Sequence, residues 1–250
     1  MYYRIFASLL VALSLSACAG GNSDPLGGNF RAPAERRALD PIGDPGNVAA
    51  SDIGYSRMVR EDGAGAAFDR YAASGAVLHL AGGPVAAKQA FANESAGERI
   101  ARRGPKAVWS SCDGSLAVST GRFARADGLV GNYTTVWELQ RDGDYRWTYE
   151  LRETDDPQPP PPAPGAQYDD DTIVVTELTS IQGRVADCAR RGEAAPAYEG
   201  ALSGANASGR SRDGTLVWQW SGANGTGRRV LTEWLREGEW QTAHDYAARP

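Results

Sequence analysis

Few side chains in this sequence are equipped for chemistry, and their scarcity narrows the possibilities. The 250 residues hold three cysteines, Cys18, Cys112 and Cys188, and two histidines, His79 and His244. A cysteine can serve as a nucleophilic thiolate, a metal ligand or half of a disulfide, and a histidine as a general acid or base near neutral pH. Two histidines are too few for a His-rich metal centre, and no Cys-x-x-Cys pair is present. No Gly-x-Ser-x-Gly, His-Glu-x-x-His, P-loop or dinucleotide fingerprint occurs. Nucleophilic hydrolysis, zinc proteolysis and nucleotide binding therefore have no support. The densest acidic run is Asp169-Asp170-Asp171. Unspaced carboxylates in a loop read as solvated charge, because hard-cation sites need spaced oxygens and a turn glycine. No metal and no cofactor is expected.

Cys18 has the most informative surroundings. Met1 to Arg4 is short and weakly positive, Ile5 to Leu15 is apolar with only small Ser and Ala interrupting it, and Leu15-Ser16-Ala17-Cys18 closes the run. This is shorter than the roughly 20 apolar residues that a bilayer-spanning helix needs. The segment resembles the signal peptide of bacterial lipoproteins, whose Leu-x-small-Cys box is met at every position. That resemblance implies cleavage before Cys18, a diacylglyceryl thioether on its sulfur and acylation of the new amine. More than one chain, buried at about 0.8 kcal/mol per CH₂, anchors stably. The expected location is the bacterial cell envelope, lipid-anchored and facing the periplasm. Ala19, where an Asp would retain the protein at the inner membrane, favours the outer one. An ordinary secretory signal with a chance cysteine is the alternative.

An exported chain folds in an oxidising compartment. With Cys18 acylated, Cys112 and Cys188 remain as an even pair, and a disulfide between them is expected. The net charge of −5 includes Arg4, which is lost with the leader. An acidic chain with almost no lysine does not suit nucleic acid or an anionic membrane surface as its main partner.

The elements that must position these residues follow from periodicity. Residues 1–17 are the signal peptide, and residues 18–50, rich in Gly, Ala, Pro, Asn and Asp, are a flexible tether. Ser51 or Asp52 can cap a helix with Tyr55, Met58 and Val59 on one face, and Phe68, Tyr71 and Ala72 repeat that spacing after Gly63 and Gly65. Ala76 to Leu80 reads as a strand, and Gly82-Gly83-Pro84 as the turn into a third helix reaching Asn93. From Lys106 the period becomes two. Four β-rich runs are separated by Asp113-Gly114, Asp127-Gly128 and Asp142-Gly143, the pattern of an antiparallel meander. Tyr133, Thr135, Trp137 and Leu139 fall on one face, Thr134, Val136, Glu138 and Gln140 on the other. Residues 51–152 thus form one domain, and residues 153–171, heavy in Pro and Asp, a linker. Residues 172–250 form a second β-meander, with Ile173 to Thr176 as a strand and a short helix around Ile181 to Arg190. Asp113-Gly114-Ser115-Leu116 is echoed by Asp213-Gly214-Thr215-Leu216, and Glu138 to Tyr145 by Glu233 to Trp240. A partial duplicate has open sheet edges, so it is expected to pack on, or extend, the first sheet.

Helices, a strand, Gly82-Gly83-Pro84, Trp109-Ser110 before Asp113-Gly114, Gly131-Asn132-Tyr133 to Trp137, and Asp142-Gly143-Asp144-Tyr145-Arg146-Trp147 together resemble the nuclear transport factor 2-like superfamily, which includes SnoaL-like cyclases and ketosteroid isomerases. The resemblance covers residues 51–152. It implies an α+β fold in which a cone-shaped, curved antiparallel sheet packs on N-terminal helices around an apolar pocket. It also implies that a homodimer is a common state. Enzymes of the superfamily set an Asp or His base in that pocket with an acid opposite, which makes His79 and Asp69 the catalytic candidates. Trp109, Tyr133, Trp137, Trp147 and Tyr149 are the candidate pocket lining; at strand spacing the alternative is that they are core.

Two functions follow as expectations. One is an envelope-anchored lipoprotein that binds a small apolar ligand or an envelope protein partner without catalysis. The other is a periplasmic SnoaL-like lyase or isomerase working through an acid/base pair. Both share the anchor. Cys18→Ser is expected to abolish fatty acylation and release the protein from the membrane fraction of a diderm host, as checked by intact mass and fractionation; retention in the membrane would reject the anchor.

Overall fold

Helix α1 (Pro45–Glu61) begins where Asp44 accepts a hydrogen bond from the Asn47 amide at 3.1 Å and Pro45 fills the first turn. In the computed structural model, residues 42–93, 95, 99–160, 180–200, 202–222 and 227–249 are described. The leader, Cys18, Asp169 to Asp171 and the expected strand at 173–176 lie outside them. All described residues belong to one compact unit. The start of α1 precedes the expected cap. Ser51 and Asp52 lie within the helix, and Asp52 joins Val48, Tyr55 and Ser56 on its buried stripe.

The chain continues through α2 (Ala64–Tyr71), β1 (Ala72–Leu80), β2 (Gly83–Ala86), α3 (Ala87–Asn93), β3 (Ile100–Ser110), β4 (Leu116–Arg125), β5 (Val130–Leu139) and β6 (Tyr145–Thr154). After it come β7 (Gln182–Val185), β8 (Ala205–Arg210), β9 (Leu216–Ser221), β10 (Arg228–Arg236) and β11 (Glu239–Ala248). The fold is α+β. A seven-stranded sheet runs β2-β1-β6-β5-β4-β3-β7, and a four-stranded sheet runs β11-β10-β9-β8. The larger sheet is mixed instead of purely antiparallel, because β1 joins β6 and β7 joins β3 in parallel. Two sequence readings are corrected. Pro84 lies opposite His79 in edge strand β2, where its missing amide is tolerated, and the helix starts at Ala87. Residues 182–185 are a strand, not a helix; Gly183 weakens helix formation, and the β3 edge offers a ladder.

Helices cover one face of the large sheet and the second sheet covers the other. Phe68, Tyr55, Leu78, Trp137 and Trp147 form the helix-side core. Trp109, Val118, Val136, Tyr149 and Leu151 meet Leu216, Trp218, Trp220, Val230 and Trp234 between the sheets. Two bulges decide which residue goes where. The β3–β4 register slips between Pro105 and Ala107, and the β5–β6 register pairs Val136 with Tyr149 but Trp137 with Trp147. Lys106 and Thr148 are thus supernumerary, and each reverses the alternation beyond it. That reversal points Arg103, Glu150 and Arg152 at the helices.

The duplicate is visible in three dimensions. The β10–β11 register slips between Thr232 and Glu233, leaving Ala243 as the counterpart of Thr148. At the Asp-Gly turns the two copies hold each other. The Asp113 amide donates to Asp213 Oδ2 at 2.9 Å, and the Asp213 amide to Asp113 Oδ2 at 3.2 Å. The Cys112 amide donates to Thr215 Oγ1, while the Arg212 amide donates to Ser115 Oγ, both at 2.9 Å. This is a local pseudo-two-fold axis. The Cys112–Cys188 disulfide, closing a separation of 76 residues, lies beside it. By chain entropy such a closure stabilises by roughly 4 kcal/mol. The paired Cys112→Ser, Cys188→Ser protein is expected to lose about that much in urea unfolding; an unchanged midpoint and slope would show that the bond contributes nothing.

Candidate functional site

A charged cluster fills the space between α1 and the large sheet. Arg103 Nε donates to Asp52 Oδ1 at 3.0 Å, Nη1 to Glu150 Oε2 at 2.6 Å and Nη2 to Thr135 Oγ1 at 3.0 Å. Its guanidinium lies over the Tyr133 ring, 3.8 Å from the centroid. Asp52 Oδ2 also accepts from the hydroxyls of Ser119 (2.8 Å) and Tyr133 (3.1 Å). The Thr135 hydroxyl donates to Glu150, and Arg152 Nε donates to the other Glu150 oxygen. Asp52 and Glu150 have no exposed surface. Such a cluster survives burial because its charges are paired and hydrogen-bonded.

Electrostatics separate the two carboxylates. Burial raises the Asp52 carboxyl above its ordinary range, and Arg103 only partly offsets this. Burial works on Glu150 too, but Arg103 and Arg152 together hold its carboxyl down at about 2. Sequence periodicity could have flagged Asp52, which follows Val48 by four residues and precedes Tyr55 by three. Arg103, Glu150 and Arg152 could not be flagged that way, because both bulges intervene.

The structure does not bring His79 and Asp69 together. Asp69 is exposed on α2, on the helix side. His79 is fully buried on the opposite face of β1. Its Nδ1 is 2.8 Å from the Tyr149 hydroxyl, and its ring packs edge-on against Trp220 at 4.8 Å. Burial, aided by the nearby Arg228 cation, pushes His79 down to about 4, so it is neutral at pH 7. His244 stacks on Trp109 at 5.2 Å and meets the Thr134 hydroxyl at 2.9 Å. The five aromatics also separate. Tyr133, Trp137 and Trp147 belong to the helix side, Trp109 and Tyr149 to the inter-sheet core, and none lines the large cavity described next. All five are packed side chains of the core. The Thr148 bulge is the reason Trp147 and Tyr149 part company.

A cavity of about 650 Å³ opens at the end of the large sheet where β1 and β6 finish and β3 begins. Its apolar wall includes Leu78, Leu80, Phe91, Ile100 and Phe123, and its charged residues include Arg125, Arg152 and Arg228. Arg152 is the shared wall: one side reaches Glu150, and its guanidinium lies 5.4 Å from the Phe91 ring centroid. Sequence reasoning missed this site because its parts come from α3, four strand ends and the second sheet. Among the described residues, no three His, Cys, Asp or Glu gather as a metal site would require.

No protein-family model matches the sequence, and no curated protein does. Solved structures similar to this chain include a nuclear transport factor 2-like protein from Cytophaga hutchinsonii, with a TM-score of 0.35 and 10% identity over 43% of this chain and 94% of that one. Another is a nuclear transport factor 2-like superfamily protein from Salmonella enterica serovar Typhimurium, at 0.34 and 13%, over 48% of this chain and 94% of that one.

Removing one buried charge strands its partners. Glu150→Gln is expected to lower stability at pH 7 by about 3–5 kcal/mol. A depressed folded value means that this contribution is present above the ordinary 4.5 and is lost as pH falls towards about 2. Urea unfolding at pH 7 and pH 3 should therefore show the gap between the two proteins narrowing in acid; equal stabilities at pH 7 would refute the account.

Proposed function

We propose that this chain is an envelope-anchored lipoprotein whose domain binds a small, largely apolar ligand without transforming it. The Leu15-Ser16-Ala17-Cys18 box supports the anchor. The single observation that carries the binding role is the cavity of about 650 Å³ with its wall of Leu78, Leu80, Phe91, Ile100 and Phe123. That volume lies in the range typical of small-molecule sites, which are mostly apolar with a few polar groups. The acid/base alternative has less to draw on. His79 is turned away from Asp69, and Asp52, the carboxylate with the raised value, does not line the cavity and spends its oxygens on Arg103, Ser119 and Tyr133. Residues of β9, β10 and β11 already pack on the broad face of the large sheet, which a second copy of the chain could otherwise use.

Gly82 lines the cavity, and a Cβ built there has no neighbour within 4 Å, so this position of the rim has room for a larger side chain. N-phenyl-1-naphthylamine, a neutral apolar fluorophore, is expected to bind saturably to the wild-type domain. Gly82→Phe should weaken it about tenfold, equivalent to about 1.4 kcal/mol. Absence of saturable binding, or equal affinity in the filled variant, would dismiss the cavity as a ligand site.

A further inference from the structure

Arg228, the first residue of β10, is only 4% exposed and lines the same cavity. Its Nη1 donates to the Arg152 carbonyl at 3.0 Å and its Nη2 to the Arg249 carbonyl at 3.4 Å. Both acceptors are neutral, and among the described residues Arg228 forms no ion pair. Arg249, also on the wall, is exposed, and its Nη1 donates to the Asp156 carbonyl at 2.5 Å, so Arg228 is the buried cation without a carboxylate among the described lining residues. Arg125 pairs with Asp127 at 2.5 Å, and Arg152 with Glu150. Glu153 accepts from the Arg249 amide at 2.6 Å and from the Tyr246 hydroxyl. Asp156, the other acid on the wall, is exposed.

A guanidinium taken out of water and answered only by carbonyls keeps its full charge uncompensated. It also has five N–H donors in a planar fork suited to a carboxylate or phosphate, and two nitrogens already engaged leave several N–H groups over. The cavity places an apolar wall beside that fork. Resting on the cavity as a ligand site, we propose that its occupant is an amphipathic anion, an apolar chain ending in a carboxylate or phosphate monoester, with the head group on Arg228 and the chain along Leu78, Leu80, Phe91, Ile100 and Phe123. Arg228 comes from the second sheet, so the duplicate would contribute to the site directly.

The test compares dodecanoate, dodecyl phosphate, dodecanol and dodecylamine as displacers of N-phenyl-1-naphthylamine from the mature domain, each below its micelle threshold. An anionic head group should bind about tenfold or more tighter than the alcohol, the scale of a charge-assisted hydrogen bond. The tighter of the two anions identifies the head group. Arg228→Gln should bring the anion-to-alcohol ratio to about one, and Arg228→Lys should restore part of it. Dodecanol binding as tightly as both anions, or dodecylamine binding tightest, would overturn the anion assignment and leave the cavity reading standing. Failure of all four, with no fluorophore bound, would overturn both. Should the variants unfold, dodecanoate labelled with ¹³C at its carboxyl and titrated on the wild-type protein decides. A bound carboxyl titrating below the free acid supports the pairing, and an unshifted one refutes it.

Discussion

Arg103 is the residue around which the domain closes. A guanidinium placed between Asp52 of α1 and Glu150 of β6, bonded also to Thr135 of β5, ties the first helix to three strands of the sheet. Each partner is demanding, because none can be left buried alone. The contact thereby fixes the rotation of α1, the register of β3 and the phase of β6 at once. Specificity of this kind is a hypothesis for any buried ion pair, since well-packed apolar residues can be as stable. Here the geometry gives it content, as the Thr148 bulge that aims Glu150 at Arg103 is the same one that sends Tyr149 and Leu151 into the inter-sheet core.

Much of the architecture was legible in the sequence, and the failures have physical causes. Period-two runs and Asp-Gly turns located β3 to β6, and the repeated Asp-Gly motifs located the second sheet, because hairpins are written in local residue chemistry. The inward set of β5, with Tyr133, Thr135 and Trp137 on the helix side, followed from alternation. Beyond a bulge, alternation misleads. Trp147 and Tyr149 share a parity in sequence and occupy opposite faces in space. Pro84 and the segment around residues 182–185 misled differently, since each sits in a short edge strand whose only support is a neighbour distant in the chain or across a tight turn. The cavity was least legible of all. A site assembled from α3 and the ends of β1, β3, β4, β6 and β10 has no contiguous signature.

The second sheet completes the first. Without it, Val118, Val136, Tyr149 and Leu151 would form a contiguous exposed apolar face. Its tryptophans cover that face, and the Cys112–Cys188 bond ties β7 and the following segment to the same turn. A meander without helices is adequate to this task because one of its sides packs on the large sheet and the segment that carries Tyr198 and Leu202 crosses the other.

The mutual bonds between Asp113 and Asp213 carry an evolutionary corollary. In a true dimer of identical subunits every substitution is imposed twice, once on each side of the axis. Fusing both partners into a single polypeptide lifts that restriction. One half could keep its helices and interior while the other shed them, turned into a cover, and acquired an arginine that its sister has no need to carry.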